Sequence, residues 1–189
     1  MSEWRLWEGD EPPIYSTPEW YAERERAPHL EQYGGQRDRL ILAAEWINAV
    51  QPESVVDLGA GDGGLLSILD PGIKRWGYDL QPSNIEGAKE RGVDVRLGDF
   101  LNDPVDWAEL AICTETIEHL VDPHAFVRQV QSQMLLASSP ALETNENHYE
   151  FHLWAWDVAG YKALLERGGY KVVKHRTISG FQVILGVRP

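Results

Sequence analysis

The chain has 189 residues, 43% of them hydrophobic and 25% charged, with a formal net charge of −13. That length suits one folding unit with a sizeable core, and the composition excludes a disordered or fibrous chain. The acidity argues against a protein whose whole surface grips nucleic acid, and a single cysteine, Cys113, excludes an intramolecular disulfide.

No apolar run approaches the ~18 residues that a membrane span requires, so no membrane partner is expected. Residues 1–11 lack the basic and apolar regions of a signal peptide. With a lone thiol suited to a reducing compartment, the expected location is the cytoplasm. Charge is unevenly spread: residues 1–36 are acid-rich, whereas 158–189 set six basic side chains against Glu166. Lys171, Lys174 and Arg176 read as solvated residues of an outer strand, where charge discourages edge pairing.

Taken in order, Trp4 and Trp7 stand among charges before a turn at Pro12-Pro13. Thr17 as cap and Pro18 at the first helical position predict a helix running to about residue 26, before Pro28. A second helix follows Gly34-Gly35, with Leu40, Ala43, Ala44 and Ile47 on its apolar face and Pro52 beyond its end. From residue 54 strands and helices alternate: strands at 55–57, 75–79, 93–97, 110–114 and 134–138, helices around 64–69, 83–91 and 123–132. Such alternation implies a parallel sheet with helices on both faces, an α/β doubly wound architecture. Asp157 caps a last helix ended by Gly168-Gly169, and two β-rich runs, 170–178 and 181–187, flank the turn Ser179-Gly180.

The informative stretch is Val55-Val56-Asp57-Leu58-Gly59-Ala60-Gly61-Asp62-Gly63-Gly64-Leu65-Leu66. It reads as a buried strand with an acid at its end, a glycine-rich turn and a helix start. Gly59, Gly61 and Gly64 satisfy the G-x-G-x-x-G spacing, a weak signal alone. Asp57 decides the ligand: a carboxylate before the first glycine repels a pyrophosphate and welcomes an ammonium group. The stretch resembles the first motif of class I S-adenosylmethionine-dependent methyltransferases. Over residues 37–189 the resemblance implies a Rossmann-like sheet of about seven strands with the last one antiparallel. Residues 1–36 carry no family motif and are expected to cap the cofactor or substrate.

The resemblance also distributes roles. Asp57, Gly59, Gly61 and Gly63 belong to the donor turn. Asp79, followed by Leu80 at the end of the second strand, is placed for the ribose hydroxyls, which also fits the usual ~20-residue offset from such a turn. Asp99 and Phe100 fall at the adenine, and Glu115 joins the cofactor-binding set.

Residues 114–123 then read Thr-Glu-Thr-Ile-Glu-His-Leu-Val-Asp-Pro. Glu115, Glu118 and His119 stand at i, i+3 and i+4, so a helical turn would set them on one face. Two acids and an imidazole can bind a metal or move a proton. The run is similar to Glu-x-x-Glu-His patterns in two subfamilies: small-molecule O-methyltransferases of the quinone type, and metal-dependent enzymes that methylate the 2′-hydroxyl at the 3′ end of small RNAs. The RNA enzymes add a downstream histidine, matched here by His152 in His152-Leu153-Trp154-Ala155-Trp156-Asp157, although the Phe and Glu of that run are Trp154 and Ala155 here. The pattern departs from the small-molecule members too, which carry Pro-Gly-Gly before the fifth strand where residues 128–136 have none.

The candidate divalent-metal set is therefore Glu115, Glu118, His119 and His152. Without a metal, His119 and His152 are the candidate bases, His119 the preferred one, with Glu118 as orienter. Trp20, Tyr21, Trp154 and Trp156 can wall a planar substrate, though core packing is the default use of such rings. His148 and Glu150 are further candidates; His29, His124 and His175 read as structural or solvent-facing. The leading expectation is a methyltransferase acting on a small-molecule hydroxyl or amine. The alternatives are an RNA 3′-terminal 2′-O-methyltransferase, nucleic acid being the disfavoured partner, and a cofactor-binding protein without catalysis.

Overall fold

The computed structural model describes residues 2–32 and 34–189; Met1 and Tyr33, both within the expected cap, lie outside them. In chain order the elements are β1 (Glu3–Arg5), α1 (Pro18–Ala22), α2 (Gly35–Val50), β2 (Ser54–Leu58), α3 (Gly64–Ser67), β3 (Lys74–Asp79), α4 (Pro82–Arg91), β4 (Val95–Leu97), β5 (Leu110–Thr114), α5 (Pro123–Gln129), β6 (Met134–Pro140), β7 (Trp154–Trp156), α6 (Val158–Arg167), β8 (Lys171–Ile178) and β9 (Phe181–Val187). Short 3-10 turns lie at Ile14–Ser16 and Ile117–His119.

Seven strands form one sheet in the order β4-β3-β2-β5-β6-β9-β8. The paired strands from β4 to β6 are parallel, while β9 runs antiparallel to both β6 and β8. Because strand side chains alternate, β2 sends Val56 and Leu58 to one core and Val55 to the other. The first core packs under α5 and α6 through Phe126, Val127, Leu164 and Leu165. The second packs under α2, α3 and α4 through Leu40, Ile47, Leu66 and Ala88. Helices on both faces explain why β2 and β5 are apolar runs rather than alternating ones.

Two departures from the sequence-based expectations bear on function. First, α1 stops at Ala22 instead of near residue 26. The chain beyond it is drawn out across the sheet: Ser83 Oγ donates to the Arg24 carbonyl at 3.1 Å, and Gln81 Nε2 donates to that of Glu25 at 3.3 Å. The helix ends because the N–H groups of Glu23 and Arg24 both close back on the Tyr21 carbonyl instead of reaching carbonyls four residues earlier. Second, β1 pairs antiparallel with β7, Glu3 opposite Trp156 and Arg5 opposite Trp154. Three-residue strands carry no readable periodicity, so this ribbon is invisible in the sequence. It is anchored by Glu3, whose carboxylate accepts from Trp156 Nε1 at 2.9 Å and meets His124 Nε2 at 2.9 Å.

The outer strand β8 exposes Lys171, Lys174 and Arg176 as expected. Ser179 and Gly180, at φ 48° and 88°, make the tight turn into β9, both residues in the left-handed region that such hairpins require. No helix among the described residues is long and apolar enough to cross a membrane.

Candidate active site

The carboxyl ends of β2, β3, β5 and β6 open into a cavity of about 960 Å³, the edge at which an open α/β sheet binds ligands. One half of it is built by the glycine turn. Gly59 has φ 81°, and a Cβ there would stand 2.6 Å from Thr116 Oγ1, so only glycine fits between the turn and the loop after β5. Gly59, Ala60, Gly61 and Gly64 line the cavity. Gly63 is not among the described lining residues; its φ of 71° turns the chain against Val93 instead, so its part in the turn is conformational.

Asp57 and Asp79 stand on either side of that turn. Asp79 Oδ2 accepts from the Gly61 N–H at 2.8 Å, and Oδ1 accepts from the Gln81 N–H at 2.8 Å and Asn84 Nδ2 at 3.0 Å. One acceptor position on Oδ2 is left for a ligand, given four per carboxylate. Burial raises the Asp79 carboxyl, and those hydrogen bonds hold the rise down. Asp57 is 1% exposed, and its Oδ1 has no hydrogen-bond partner. Burial first, then the Asp79 charge, push its carboxyl up to about 8, against the pull of Arg39. Leu80, Asp99 and Phe100 complete this half; Phe100 leans on Phe126 with centroids 5.5 Å apart.

Arg39 is a lining residue the sequence reading missed. It sits on α2, is 1% exposed, and leaves Nη1 without a partner. Its other nitrogens meet Gln36 Oε1 at 3.1 and 2.9 Å and His29 Nδ1 at 3.1 Å. His29, read as structural or solvent-facing, thus lines the cavity, and burial followed by the Arg39 charge pushes it down to about 4. Nothing in the pattern of α2 separates Arg39 from an ordinary helix arginine.

The other half gathers the acid and imidazole groups. Glu118 and His119 fall in the 3-10 turn Ile117–His119, but Glu115 precedes it at φ 55°, so the three do not share a helical face. Glu115 turns instead to Ser138, whose Oγ donates to it at 2.8 Å, and stands 3.9 Å from Arg39 Nε. One potential ligand atom each from Glu118, His119 and His152 lie within 4.8 Å of one another; Glu115 does not join that group. Glu118 is fully buried, is not among the lining residues of the cavity, and neither of its carboxylate oxygens has a partner. Burial, then Glu115, hold its carboxyl well above the ordinary value.

His119 Nδ1 lies 3.2 Å from the Phe151 carbonyl and His152 Nδ1 lies 2.6 Å from Glu143 Oε2. Both partners are acceptors, so Nδ1 carries the proton in each ring and Nε2 is the free lone pair. Burial and the neighbouring His152 push His119 down to about 3. Glu143, a second missed residue, also accepts from the Tyr149 N–H at 3.1 Å. Trp20, Tyr21, Tyr149 and Phe151 line this half. Trp154 and Trp156 do not: Trp156 is buried in the core, and Trp154 packs edge-on against Trp7 at 5.7 Å. His148 and Glu150 are not among the lining residues either, and His148 Nδ1 turns to the Thr144 carbonyl.

A family model described as a methyltransferase domain matches residues 29–175. The chain belongs to that family. Among its relatives, a trans-aconitate 2-methyltransferase of Mycolicibacterium gilvum (strain PYR-GCK) is 39% identical over 67 residues, 34% of this chain and 25% of that protein. The matched stretch thus spans about a quarter of that curated relative. Among solved structures, the chain shares its fold with magnesium protoporphyrin IX methyltransferase of Synechocystis PCC 6803 with bound SAH, at TM-score 0.68 and 14% identity, covering 80% of this chain and 83% of that one. It also resembles the methyltransferase domain of bacterial CtHen1, at TM-score 0.63 and 23% identity over 80% and 98%. The fold is that of class I S-adenosylmethionine-dependent methyltransferases, as the glycine-turn motif suggested.

Proposed function

We propose that this methyltransferase takes its methyl group from S-adenosylmethionine and passes it to a hydroxyl or amine of a small molecule. The observation that carries the reading is one cavity running from Asp57 and Asp79 to His119 and His152. Orphaned polar atoms fit the donor: Asp57 Oδ1 suits its ammonium, Arg39 Nη1 its carboxylate, and the open Asp79 position a ribose hydroxyl. Asp99 and Phe100 suit the adenine amino group and ring face. When bound, the donor supplies a methyl group already activated by its sulfonium, so the chain's task is alignment and, for a hydroxyl or protonated amine, removal of a proton.

His152 suits that proton better than His119. An imidazole held down at about 3 accepts a proton weakly at neutral pH, and His152 is the other imidazole lining the cavity, its ring oriented by Glu143 at Nδ1 so that Nε2 faces away from that bond. Past His119 the cavity continues to Leu142 and Tyr149, 76% and 46% exposed. An acceptor therefore has a way in, which speaks against a purely cofactor-holding role.

A second reading rests on Glu118. A buried carboxylate without partners favours a cation, and two imidazoles with Nδ1 tied back present Nε2 as metal ligands commonly do. Glu118, His119 and His152 would hold a transition metal, whose chemistry is to polarise an acceptor hydroxyl. That favours an RNA 3′-terminal 2′-hydroxyl as acceptor, against which the net charge of −13 stands.

The test is calorimetry with S-adenosylhomocysteine, followed by methyl transfer to a panel of hydroxylated small molecules and to a 3′-terminal RNA, each with and without chelator. Absence of S-adenosylhomocysteine binding overturns the donor assignment. Turnover confined to RNA and lost in chelator selects the second reading.

A further inference from the structure

The segment after α1 is fastened across the donor half of the cavity at three successive residues. Ser83 and Gln81 hold the carbonyls of Arg24 and Glu25, and the Arg26 guanidinium reaches Asp62 in the glycine turn, Nε to Oδ2 at 2.9 Å. Glu25, Ala27 and His29 of the same segment line the cavity beside Asp62, Gln81 and Asn84. The first two fastenings are single neutral hydrogen bonds at exposed positions, weak in water. The third joins charges, with the Asp62 side chain only 5% exposed and that of Arg26 28%; it is the strongest of the three.

Asp62 has a second cation. Arg91, at the end of α4, places Nη2 2.7 Å from the same Oδ2 and is itself held by Glu31 at 2.7 Å. Arg26 has a second anion in Glu90 at 2.6 Å, a side chain 70% exposed. The two arginines are not equivalent: one is on a packed helix, the other on an extended strap. If the strap lifts, Asp62 keeps Arg91 and its hydrogen bond from the Gly64 N–H, so no buried charge is left alone. Removing the only partner of a buried charge would be costly; a carboxylate held twice avoids that cost and can release one partner reversibly.

The sequence makes room for the latch. Gly87 lies inside α4, where glycine weakens a helix, and a Cβ there would stand 2.4 Å from Arg26 Nε. Glycine at this position lets the guanidinium lie flat over α4 on its way to Asp62.

We propose that Arg26–Asp62 is the latch of a strap, residues 23–28, that closes over the bound donor, and that its opening sets the rate at which donor and demethylated product exchange, while His29, Leu30 and Glu31 stay anchored beyond it. Arg26 is a positioning residue: it touches the turn, not the reacting atoms. The inference rests on the donor reading above. Stopped-flow tryptophan fluorescence, with Trp20 at the root of the strap, follows release of S-adenosylhomocysteine from wild type, Arg26→Ala and Gly87→Ala. Gly87→Ala displaces the guanidinium without removing it and so tests the latch independently. Both variants should release product roughly tenfold faster or more, the scale of a lost charged hydrogen bond. Wild-type release should quicken with salt while that of Arg26→Ala stays flat. Unchanged release in both variants, with product binding intact, overturns the latch alone. If wild type fails to bind S-adenosylhomocysteine, the donor reading falls and the latch with it.

Discussion

The two halves of the cavity are built in opposite ways. In the donor half, Asp79 is satisfied by groups near the two strand ends, the N–H of Gly61 and Gln81 and the amide of Asn84. That part of the frame is locally encoded. Behind the acceptor half, Glu118 is buried away from the cavity lining and has no partner. His119 and His152 come from segments 33 residues apart and lean on each other with ring centroids 4.7 Å apart, their outer nitrogens tied to the loop 143–151. Both halves leave groups for a ligand to complete, Asp57 Oδ1 and Arg39 Nη1 in the first and the two imidazole Nε2 atoms in the second, but the first sets them around a turn and the second on separate segments. Changes in one should therefore move a different observable from changes in the other.

The largest separation is expected from His152→Ala. Loss of a general base lowers turnover about 10²–10⁴-fold, while S-adenosylhomocysteine affinity in calorimetry should stay near wild type. His119→Ala should cost less in turnover than His152→Ala, since burial pushes its imidazole down to about 3; the reverse order would return the base role to His119. A turnover loss matched by an affinity loss would erase the distinction between the halves.

Asp79→Ala is expected to do the opposite. Losing a hydrogen bond to a charged acceptor costs about 1.5–3 kcal/mol, which calorimetry would read as a Kd raised about 10–100-fold. Turnover at saturating donor should then recover most of its wild-type value. Equal affinity in wild type and variant would sink the ribose assignment.

The smallest effect is one of pH. With its carboxyl pushed up to about 8, Asp57 is largely protonated at neutral pH and gains its charge as pH rises. A cationic donor binds the charged form, so affinity should increase about fivefold between pH 7 and 8 and level off above, by proton linkage. Asp57→Asn should bind weakly and without that slope. For folding the sign is reversed: the raised carboxyl contributes stability that is complete below the ordinary carboxylate range and is lost as pH climbs through about 8. Thermal melts without ligand should therefore fall across that window in wild type and less so in Asp57→Asn. His119, pushed down to about 3, acts on folding with the opposite sign and at lower pH: below the ordinary imidazole value the unfolded chain takes the proton first, so stability falls with falling pH there, and between pH 7 and 8 His119 contributes nothing.

How far each half was legible follows from the same contrast. The strand ends at Asp57 and Asp79, the glycine turn and the closing hairpin are readable because apolar runs, capping residues and φ-driven glycines act within a few positions of one another; that the last strand runs antiparallel in the sheet came from the family resemblance. Glu118 and His119 stand out by type and spacing and His152 by the family resemblance, and the three do meet. Glu115 was placed with them on the assumption of a regular helical turn; its positive φ and its bond to Ser138 send it to Arg39 instead. Trp154 and Trp156 were grouped with Trp20 and Tyr21 as a wall, but an aromatic side chain's direction depends on which strand it joins, and pairing with β1 turned these two inward.

The sequence by itself determined the layer order of the sheet, the donor turn and the types of side chain available at the acceptor end, because each depends on interactions short in sequence. Only the tertiary structure decided that Arg39 and His29 face the cavity, that Glu143 orients His152, and that Arg26 crosses from the strap to Asp62. Those arrangements join residues 9 to 36 positions apart through orphaned charges and single hydrogen bonds. A pairing of that kind leaves no periodic trace in the chain, and burial alone makes it decisive.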